Sequence, residues 1–311
     1  MKIITLTLNP AFDLHCHTPA FAPCHENLAE ITALEAGGKG VNISRALVAC
    51  GVENTALVVL GEENGDTFKR ALAADGISHI TLAVPGRIRE NITLHTDNAP
   101  ETRISFRGFG ADRALLEKVE ALLAPQIDDS TVVTFTGSLP GGITAADARA
   151  FLCRLKAAGA KIVIDSRSFS LEDIAAVRPW LIKPNEEEIA MYSSMQVTDL
   201  DSAVPAALAL RQSCADNVMI SLGGAGAVLA AEDGACYTAS APKIEVKSTI
   251  GAGDSAIGGF IAAAKEGCTP AEMLKRAVSY GSAACMAEGT RPPEKADIDA
   301  LLEQIDVKKV D

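Results

Sequence analysis

A chain of 311 residues with 48% hydrophobic content can bury one or two cores. Its formal net charge of -12 and pI near 5.0 argue against a polyanion as main partner, because nucleic-acid-binding domains present a basic face, although a few local arginines can still hold one phosphate. No stretch approaches the roughly 18 unbroken apolar residues of a membrane helix, and the opening Met1 to Pro10 is too short for the apolar region of a signal peptide, so a cytoplasmic chain with no nucleic-acid or membrane partner is expected.

The first ten residues read as a strand running into a turn. His15, Cys16, His17, Cys24 and His25 follow; His15 and His17 share a strand face and can either chelate a metal or line a pocket or the surface. The eight cysteines form no Cys-x-x-Cys pair in a chain large enough to fold without covalent staples, so reduced thiols are expected. Next comes Gly37-Gly38-Lys39-Gly40-Val41-Asn42, opening a helix over Ile43 to Cys50. Its glycines permit close approach to a ligand, Lys39 offers a point charge, and Asn42 can donate to and accept from sugar hydroxyls. The same run also reads as an ordinary glycine-rich strand-to-helix turn.

From residue 36 onward, outside 86 to 109, β-branched runs alternate with helical patterns. Thr55 to Leu60, Thr131 to Phe135 and Lys161 to Ile164 read as strands, and Gly65 to Ala74 and Ala145 to Ala158 as helices. The fold class is therefore α/β, a mainly parallel Rossmann-like sheet with helices on both faces and ligands at the carboxyl ends of its strands. Arg89 to His95 and Glu101 to Arg107 depart from this pattern, with polar residues at odd and apolar ones at even positions, joined by Asp97-Asn98-Ala99-Pro100. Such a hairpin needs a cover, from strands within His15 to Ile31 or from a second subunit. Segments 15–33 and 86–109 are read as one small β lid on a core formed by 1–14, 34–85 and 110–311; an ordinary surface hairpin is the alternative.

Lys183-Pro184-Asn185-Glu186-Glu187-Glu188 ends a strand and opens a helix. Asn185 and Glu188 share a helix face, which suits magnesium held through water near nucleotide phosphates and equally suits a capping box. Ser221-Leu222-Gly223-Gly224-Ala225-Gly226 and the helical Ser279 to Met286, with Ser282, fit an adenine nucleotide, or are a plain turn and a core helix. Lys243 to Lys247 reads as a strand, Ser248 to Ser255 as a loop containing Thr249, and Ala256 to Lys265 as a helix. The N-H groups of Gly251, Ala252 and Gly253 at a helix N-terminus can hold a developing phosphoryl charge, and Asp254 beside them can take a hydroxyl proton or merely cap the helix. Neither a Walker loop nor a protein-kinase motif is present, and no dinucleotide Gly-x-Gly-x-x-Gly follows the first strand.

In this order the motifs resemble the ribokinase/PfkB family of carbohydrate kinases over essentially the whole chain. Gly-Gly-Lys-Gly-x-Asn early, Asn-x-x-Glu in the middle and Thr-x-Gly-Ala-Gly-Asp late carry the likeness. The resemblance implies a ribokinase-like core with a β lid, magnesium-ATP as donor and an anion hole at Gly251 to Gly253. It further implies Asp254 as base, Lys183, Asn185, Ser221, Gly223, Gly226, Thr249 and Ser282 near ATP, and a homodimer paired through the lid. Potassium activation is left open.

The opening Thr7-Leu8-Asn9-Pro10-Ala11-Phe12-Asp13, the run Thr136-Gly137-Ser138-Leu139-Pro140-Gly141-Gly142, and Arg89-x-Asn91 are similar to the branch of 1-phosphofructokinases and tagatose-6-phosphate kinases. In that branch the equivalents of Asp13, Arg89 and Lys39 hold the acceptor, with Asn91 and Ser138 in the same motifs. The branch usually carries Gly-x-Val-Asn-Arg before the first glycine motif, whereas here Cys24-His25-Glu26-Asn27-Leu28 loses the arginine. Arg103 or Arg107 on the polar hairpin face can replace it, each able to grip phosphate bidentately. The expected reaction is transfer from ATP to a ketohexose phosphate, fructose 1-phosphate or tagatose 6-phosphate. An unphosphorylated sugar or nucleoside as acceptor, or a non-catalytic sugar or nucleotide sensor, are the alternatives.

Overall fold

The computed structural model describes residues 1–192 and 195–310. Strand β1 (Lys2–Thr7) is followed by β2 (Ala11–Thr18), β3 (Glu30–Gly37), helix α1 (Lys39–Ala49), β4 (Thr55–Gly61), α2 (Gly65–Ala74) and β5 (His79–Val84). Next come β6 (Arg89–Thr96), β7 (Thr102–Ile104), α3 (Arg113–Leu123), β8 (Thr131–Thr136), α4 (Ala145–Ala157), β9 (Lys161–Asp165), α5 (Leu171–Val177), β10 (Leu181–Ile182) and α6 (Glu186–Tyr192). The last part holds α7 (Leu200–Ser213), β11 (Asn217–Ser221), β12 (Ala227–Ala230), β13 (Cys236–Ala239), α8 (Ala252–Lys265), α9 (Pro270–Cys285), α10 (Lys295–Leu302) and β14 (Val307–Val310).

Among the described residues the large sheet has ten strands in the order β14-β13-β12-β11-β10-β9-β8-β1-β4-β5. From β5 to β11 every pair is parallel, whereas β12, β13 and β14 add an antiparallel edge that the alternation of patterns did not reveal. Successive strand residues feed opposite faces: Ile4, Val133 and Ile162 join a core with Phe68 and Phe151, while Ile3, Val132 and Val163 join one with Trp180 and Phe260. A strand covered on both sides has no polar face, which is why these runs are continuously apolar. Several helices start where the sequence places strong caps, as at Thr144 and Asp147 of α4 and Thr269 and Glu272 of α9, each a reciprocal capping box.

Two helices begin earlier than their apolar patterns suggested. Gly38, at φ +127°, ends β3 sharply enough for α1 to start at Lys39, so Lys39 and Asn42 lie in its first turn. Gly251, at φ +77°, does the same for α8, and Ala252, Gly253 and Asp254 are helical and not loop. Lys243 to Lys247 forms no strand; the Lys247 N-H bonds the Cys285 carbonyl at the end of α9 in place of a sheet neighbour.

The small sheet runs β3-β2-β6-β7, with β6 and β7 as the expected hairpin and β2 and β3 supplying its neighbours. Strands β2 and β3 extend beyond segment 15–33, reaching Ala11 and Gly37, whereas β6 and β7 lie within 86–109. Cross-strand partners share a face, so the register sorts the side chains into rows. Leu34, Leu14, Ile92 and Ile104 form one row on the outer face, and Glu35, Asp13 and Asn91 form one on the face toward the core. No helix among the described residues is long and apolar enough to cross a membrane.

Candidate active site

Lys183, Ser138 and Ser221 follow or end β10, β8 and β11, and Lys39, Asn42 and Asp254 lie in helix first turns that meet there, at the carboxyl ends of the parallel strands where such a sheet leaves a crevice. Asp254, in the first turn of α8, is 6% exposed and accepts a hydrogen bond from Asn42 Nδ2 at 2.9 Å. It does not cap its helix: the cap position belongs to Gly251, and no side chain serves there. Asn42 cannot turn its amide over, because Arg45 Nη1 donates to its oxygen at 3.1 Å while Arg45 Nε is held by Asp75. Burial raises the Asp254 carboxyl to about 6, with Asp165 pushing the same way and Lys39, Asn42 and Lys183 opposing. A carboxylate held in that range ionises at neutral pH yet remains basic enough to take a proton.

Lys39 Nζ stands 2.9 Å from Asp165 Oδ2, and Lys183 Nζ is 3.8 Å from Asp165 Oδ1. The Asp165 side chain is 2% exposed; burial alone would raise its pKa, but the two ammonium groups hold it below the usual carboxylate range. Burial pulls Lys39 down, and Asp165 with Asp254 more than offsets this, so its pKa is raised. Lys183 also presses on the glycine turn, since a Cβ on Gly253 would lie 3.0 Å from its Nζ. Two cations and the N-terminus of α8 thus surround the space beside Asp254, an arrangement that stabilises negative charge there.

On the small sheet, Asp13 Oδ1 accepts from Asn91 Nδ2 at 3.0 Å, and burial raises the Asp13 pKa against that bond and the nearby Arg103 charge. Arg89 Nη2 donates to the Asn9 carbonyl at 3.3 Å and Nη1 to that of Phe106 at 3.3 Å, leaving its buried Nε unpartnered. Ser138 is fixed by Asn9 Nδ2 at 3.0 Å. Arg89 and Arg103 therefore both act on Asp13, whereas Lys39 sits at Asp165 and Arg107 stands exposed, with no ion pair among the described residues. Leu28, on the loop joining β2 and β3, is 88% exposed.

Gly37 has no room for a side chain, because a Cβ there would lie 2.0 Å from Asp13 Oδ2. With the acceptor-holding role that the family resemblance implies for Asp13, Gly37→Ala should displace that carboxylate and raise the acceptor KM by about tenfold or more, by the usual cost of misplacing a positioning group. Steady-state kinetics with an unchanged KM for ATP would assign the loss to the acceptor side.

A cavity of about 380 Å³ lies behind the glycine turn, lined by Lys183, Asn185, Ser221, Gly223, Gly226, Thr249, Gly253 and Ser282. Its remaining wall is apolar apart from Glu186, with Ile244, Val246, Ala277 and Val278, residues that local patterns gave no reason to single out. Asn185 and Glu188 do form the capping box: Glu188 N-H donates to Asn185 Oδ1 at 2.9 Å and Asn185 N-H to Glu188 Oε2 at 3.2 Å. Glu188 Oε1 accepts from Arg167 Nε at 3.1 Å. Each carboxylate oxygen keeps a free lone pair, so the cap is compatible with holding a hydrated cation.

The histidines do not gather as a metal site. His15 Nδ1 meets His95 Nε2 at 3.2 Å, His17 Nε2 meets Asp97 at 2.9 Å, and Cys24 is exposed. No group of three or more His, Cys, Asp or Glu suited to a metal occurs among the described residues.

Sequence reasoning passed over Asp165 and Asn9. Asp165 directly follows the strand expected over Lys161 to Ile164 and ends the observed β9, and an acidic residue at the carboxyl end of a parallel strand was the available signal.

Comparison with known proteins places these features in context. The model of the pfkB family carbohydrate kinases matches residues 9–297. A relative, the 1-phosphofructokinase of Escherichia coli strain K12, is 29% identical over 307 residues, covering 99% of this chain and 98% of its own. The crystal structure of phosphofructokinase-2 from Escherichia coli in complex with substrates and products superposes with a TM-score of 0.89 at 26% identity, covering 98% of this chain and 99% of that one. A structure of the same enzyme in complex with potassium has a TM-score of 0.89 at 26% identity, over 97% and 98% of the two chains.

Proposed function

The chain belongs to the pfkB family of carbohydrate kinases, and from that premise we propose that it moves the γ-phosphate of ATP onto a hydroxyl of a ketohexose phosphate, fructose 1-phosphate before tagatose 6-phosphate. The observation that carries this reading is the buried Asp254 beside the Gly251 to Gly253 turn, with the acceptor-side Asp13 and the nucleotide-sized cavity on either side. Asp254 takes the proton of the attacking hydroxyl. The N-H groups of the glycine turn and the ammonium groups of Lys39 and Lys183 receive the charge of the phosphoryl oxygens in flight. Asp13 and Asn91 orient the sugar hydroxyls, and Arg89, Arg103 and Lys39 attract its phosphate. Lys39 reaches that phosphate by exchanging Asp165 for it.

Asn185 and Glu188 are the residues that would hold magnesium, through water; when bound, it neutralises charge on the donor phosphates. Potassium joins the proposal on the strength of the potassium complex of the similar enzyme. The cytoplasm is the compartment that goes with this proposal, since ATP is available there and the eight free thiols would stay reduced.

A coupled assay for ADP across a panel of fructose 1-phosphate, tagatose 6-phosphate, free hexoses and nucleosides tests the acceptor. Turnover of phosphosugars is expected. The exposed Leu28 in place of the branch's arginine favours a second reading, a neutral acceptor, and turnover of free sugars alone would establish that one in its place.

We further propose that segments 15–33 and 86–109 act as a lid and that two copies pair through it. The outward row carries Leu34 at 52% and Ile104 at 46% exposure, with Phe106 at 49% beside it, an apolar sheet face that none of the described residues covers. Leu34→Asp with Ile104→Asp should convert a dimer to a monomer, read by light scattering at micromolar protein; an unchanged mass would remove the lid from the interface.

A further inference from the structure

The small sheet touches the core through the same row that carries Asp13 and Asn91, at Glu35. Glu35, on β3 two residues before Gly37, meets the segment that follows α9 with its carboxylate. Glu35 Oε2 accepts a hydrogen bond from the Thr290 N-H at 3.2 Å and another, shorter, from the Thr290 hydroxyl. Thr290 is 6% exposed, so these donors would otherwise be shut away from water unpaired.

The preceding Gly289, at φ +62°, packs directly beneath: a Cβ there would lie 3.4 Å from Glu35 Oε2 and 3.5 Å from His15 Nε2. On its other side the same segment is tied to the anion turn. The Cys285 carbonyl at its start accepts the N-H groups of Lys247 at 2.8 Å and Ser248 at 3.3 Å, the residues that lead into Thr249 and Gly251.

A continuous path of hydrogen bonds and chain therefore joins β3, which delivers Gly37 and Lys39, to the loop that delivers Gly251 to Gly253. Glu35 also sits opposite Asp13 in the strand register, so the residue that holds the core is the neighbour of one assigned to the acceptor.

We propose that Glu35 is a positioning residue: with Thr290 it latches the acceptor-binding lid to the segment supporting the anion turn, holding the acceptor hydroxyl in line with the transferred phosphoryl group. The inference rests on the kinase reading given above. It makes the acceptor half of the reaction, and not nucleotide binding, sensitive to a contact that touches neither substrate. Glu35→Ala removes the acceptor of both bonds, whereas Glu35→Gln keeps an amide oxygen for them.

The test compares kcat, both KM values and thermal stability for Glu35→Ala, Glu35→Gln, Thr290→Val, Thr290→Ser and the Glu35→Ala/Thr290→Val pair. Glu35→Ala should lower kcat/KM for the acceptor by about tenfold to a hundredfold, as a displacement of about 1 Å does, while the KM for ATP stays within about twofold. Glu35→Gln and Thr290→Ser should recover most of that loss, and the double variant should be no worse than Glu35→Ala, because both changes break one contact.

Equal losses toward ATP and acceptor, additive losses in the double variant, or wild-type kinetics with only a lower melting temperature would each overturn the latch. If Glu35→Ala does not fold, Thr290→Val against Thr290→Ser decides the matter from the core side. The wild-type enzyme is the control that separates the two readings. Its failure to turn over any phosphosugar or sugar defeats the kinase proposal, whereas failure of the variants to differ from it defeats only the latch.

Discussion

Replacing Asp254 by Asn is expected to cut kcat by about a thousandfold, within the 10²–10⁴ that a positioned general base contributes, while ATP binding persists. The amide keeps the size of the side chain and a possible bond to Asn42, so the loss isolates the proton-accepting role. Isothermal titration with ATP beside a coupled rate assay checks both halves, and a variant that turns over like the wild type would remove Asp254 from the chemistry. In the wild type, kcat/KM should fall as pH drops through about 6, where burial places the Asp254 carboxyl, because the protonated acid cannot accept the hydroxyl proton. That acid limb should vanish from the residual activity of Asp254→Asn.

The same burial predicts a change of opposite sign in stability. The folded carboxyl titrates near 6 and the unfolded one near 3.8, so the native state binds more protons between these values and stability declines as pH rises through that window. At neutral pH the ionised, desolvated Asp254 therefore costs the fold at most about 3 kcal/mol. Asp254→Asn should melt higher than the wild type at pH 7, with the difference shrinking toward pH 4. An active site that gains stability when its function is removed is the signature of a strained catalytic group.

The second large effect falls on Asp165. Its carboxylate is the counter-charge of Lys39 and of the buried Lys183, whose side chains are 37% and 6% exposed. Asp165→Asn leaves the Lys183 ammonium without its partner in a desolvated site, a change that costs about 3–5 kcal/mol. Chemical denaturation should record that loss, and Asp165→Asn/Lys183→Met should be more stable than Asp165→Asn alone because the stranded charge is gone. Loss of Asp165 also releases Lys39 toward Asp254 and removes a negative charge beside it, so the acid limb of kcat/KM should move to lower pH. An acid limb that stays in place, with stability unaffected, would mean that the two lysines find other partners.

Several features of the site were legible residue by residue. Glycines that must turn a chain, as Gly38 and Gly251 do with φ of +127° and +77°, mark themselves by composition. The capping box at Asn185 and Glu188 is written in its three-residue spacing and forms as such. The helix starts were misjudged because apolar periodicity begins only where a helix meets the core. Lys39 and Asp254 lie in first turns that face a crevice and carry no apolar signal. Lys243 to Lys247 looked like a strand on its alternation, yet its backbone partner, the Cys285 carbonyl, belongs to the end of a helix distant in sequence.

The continuous apolar runs were enough to indicate a mainly parallel α/β sheet, since side-chain period is a local property of the chain, while the transfer chemistry came from the resemblance that the motifs, taken in order, bear to a kinase family. Contacts between distant segments decided the rest. Asn42 meets Asp254, Lys39 meets Asp165 and Glu35 meets Thr290 across separations of 212, 126 and 255 residues. Which carboxylate faces an ammonium, which is driven up by burial and which ties lid to core depends on how far each is removed from water. Desolvation is a property of the packed molecule, and no stretch of sequence carries it by itself.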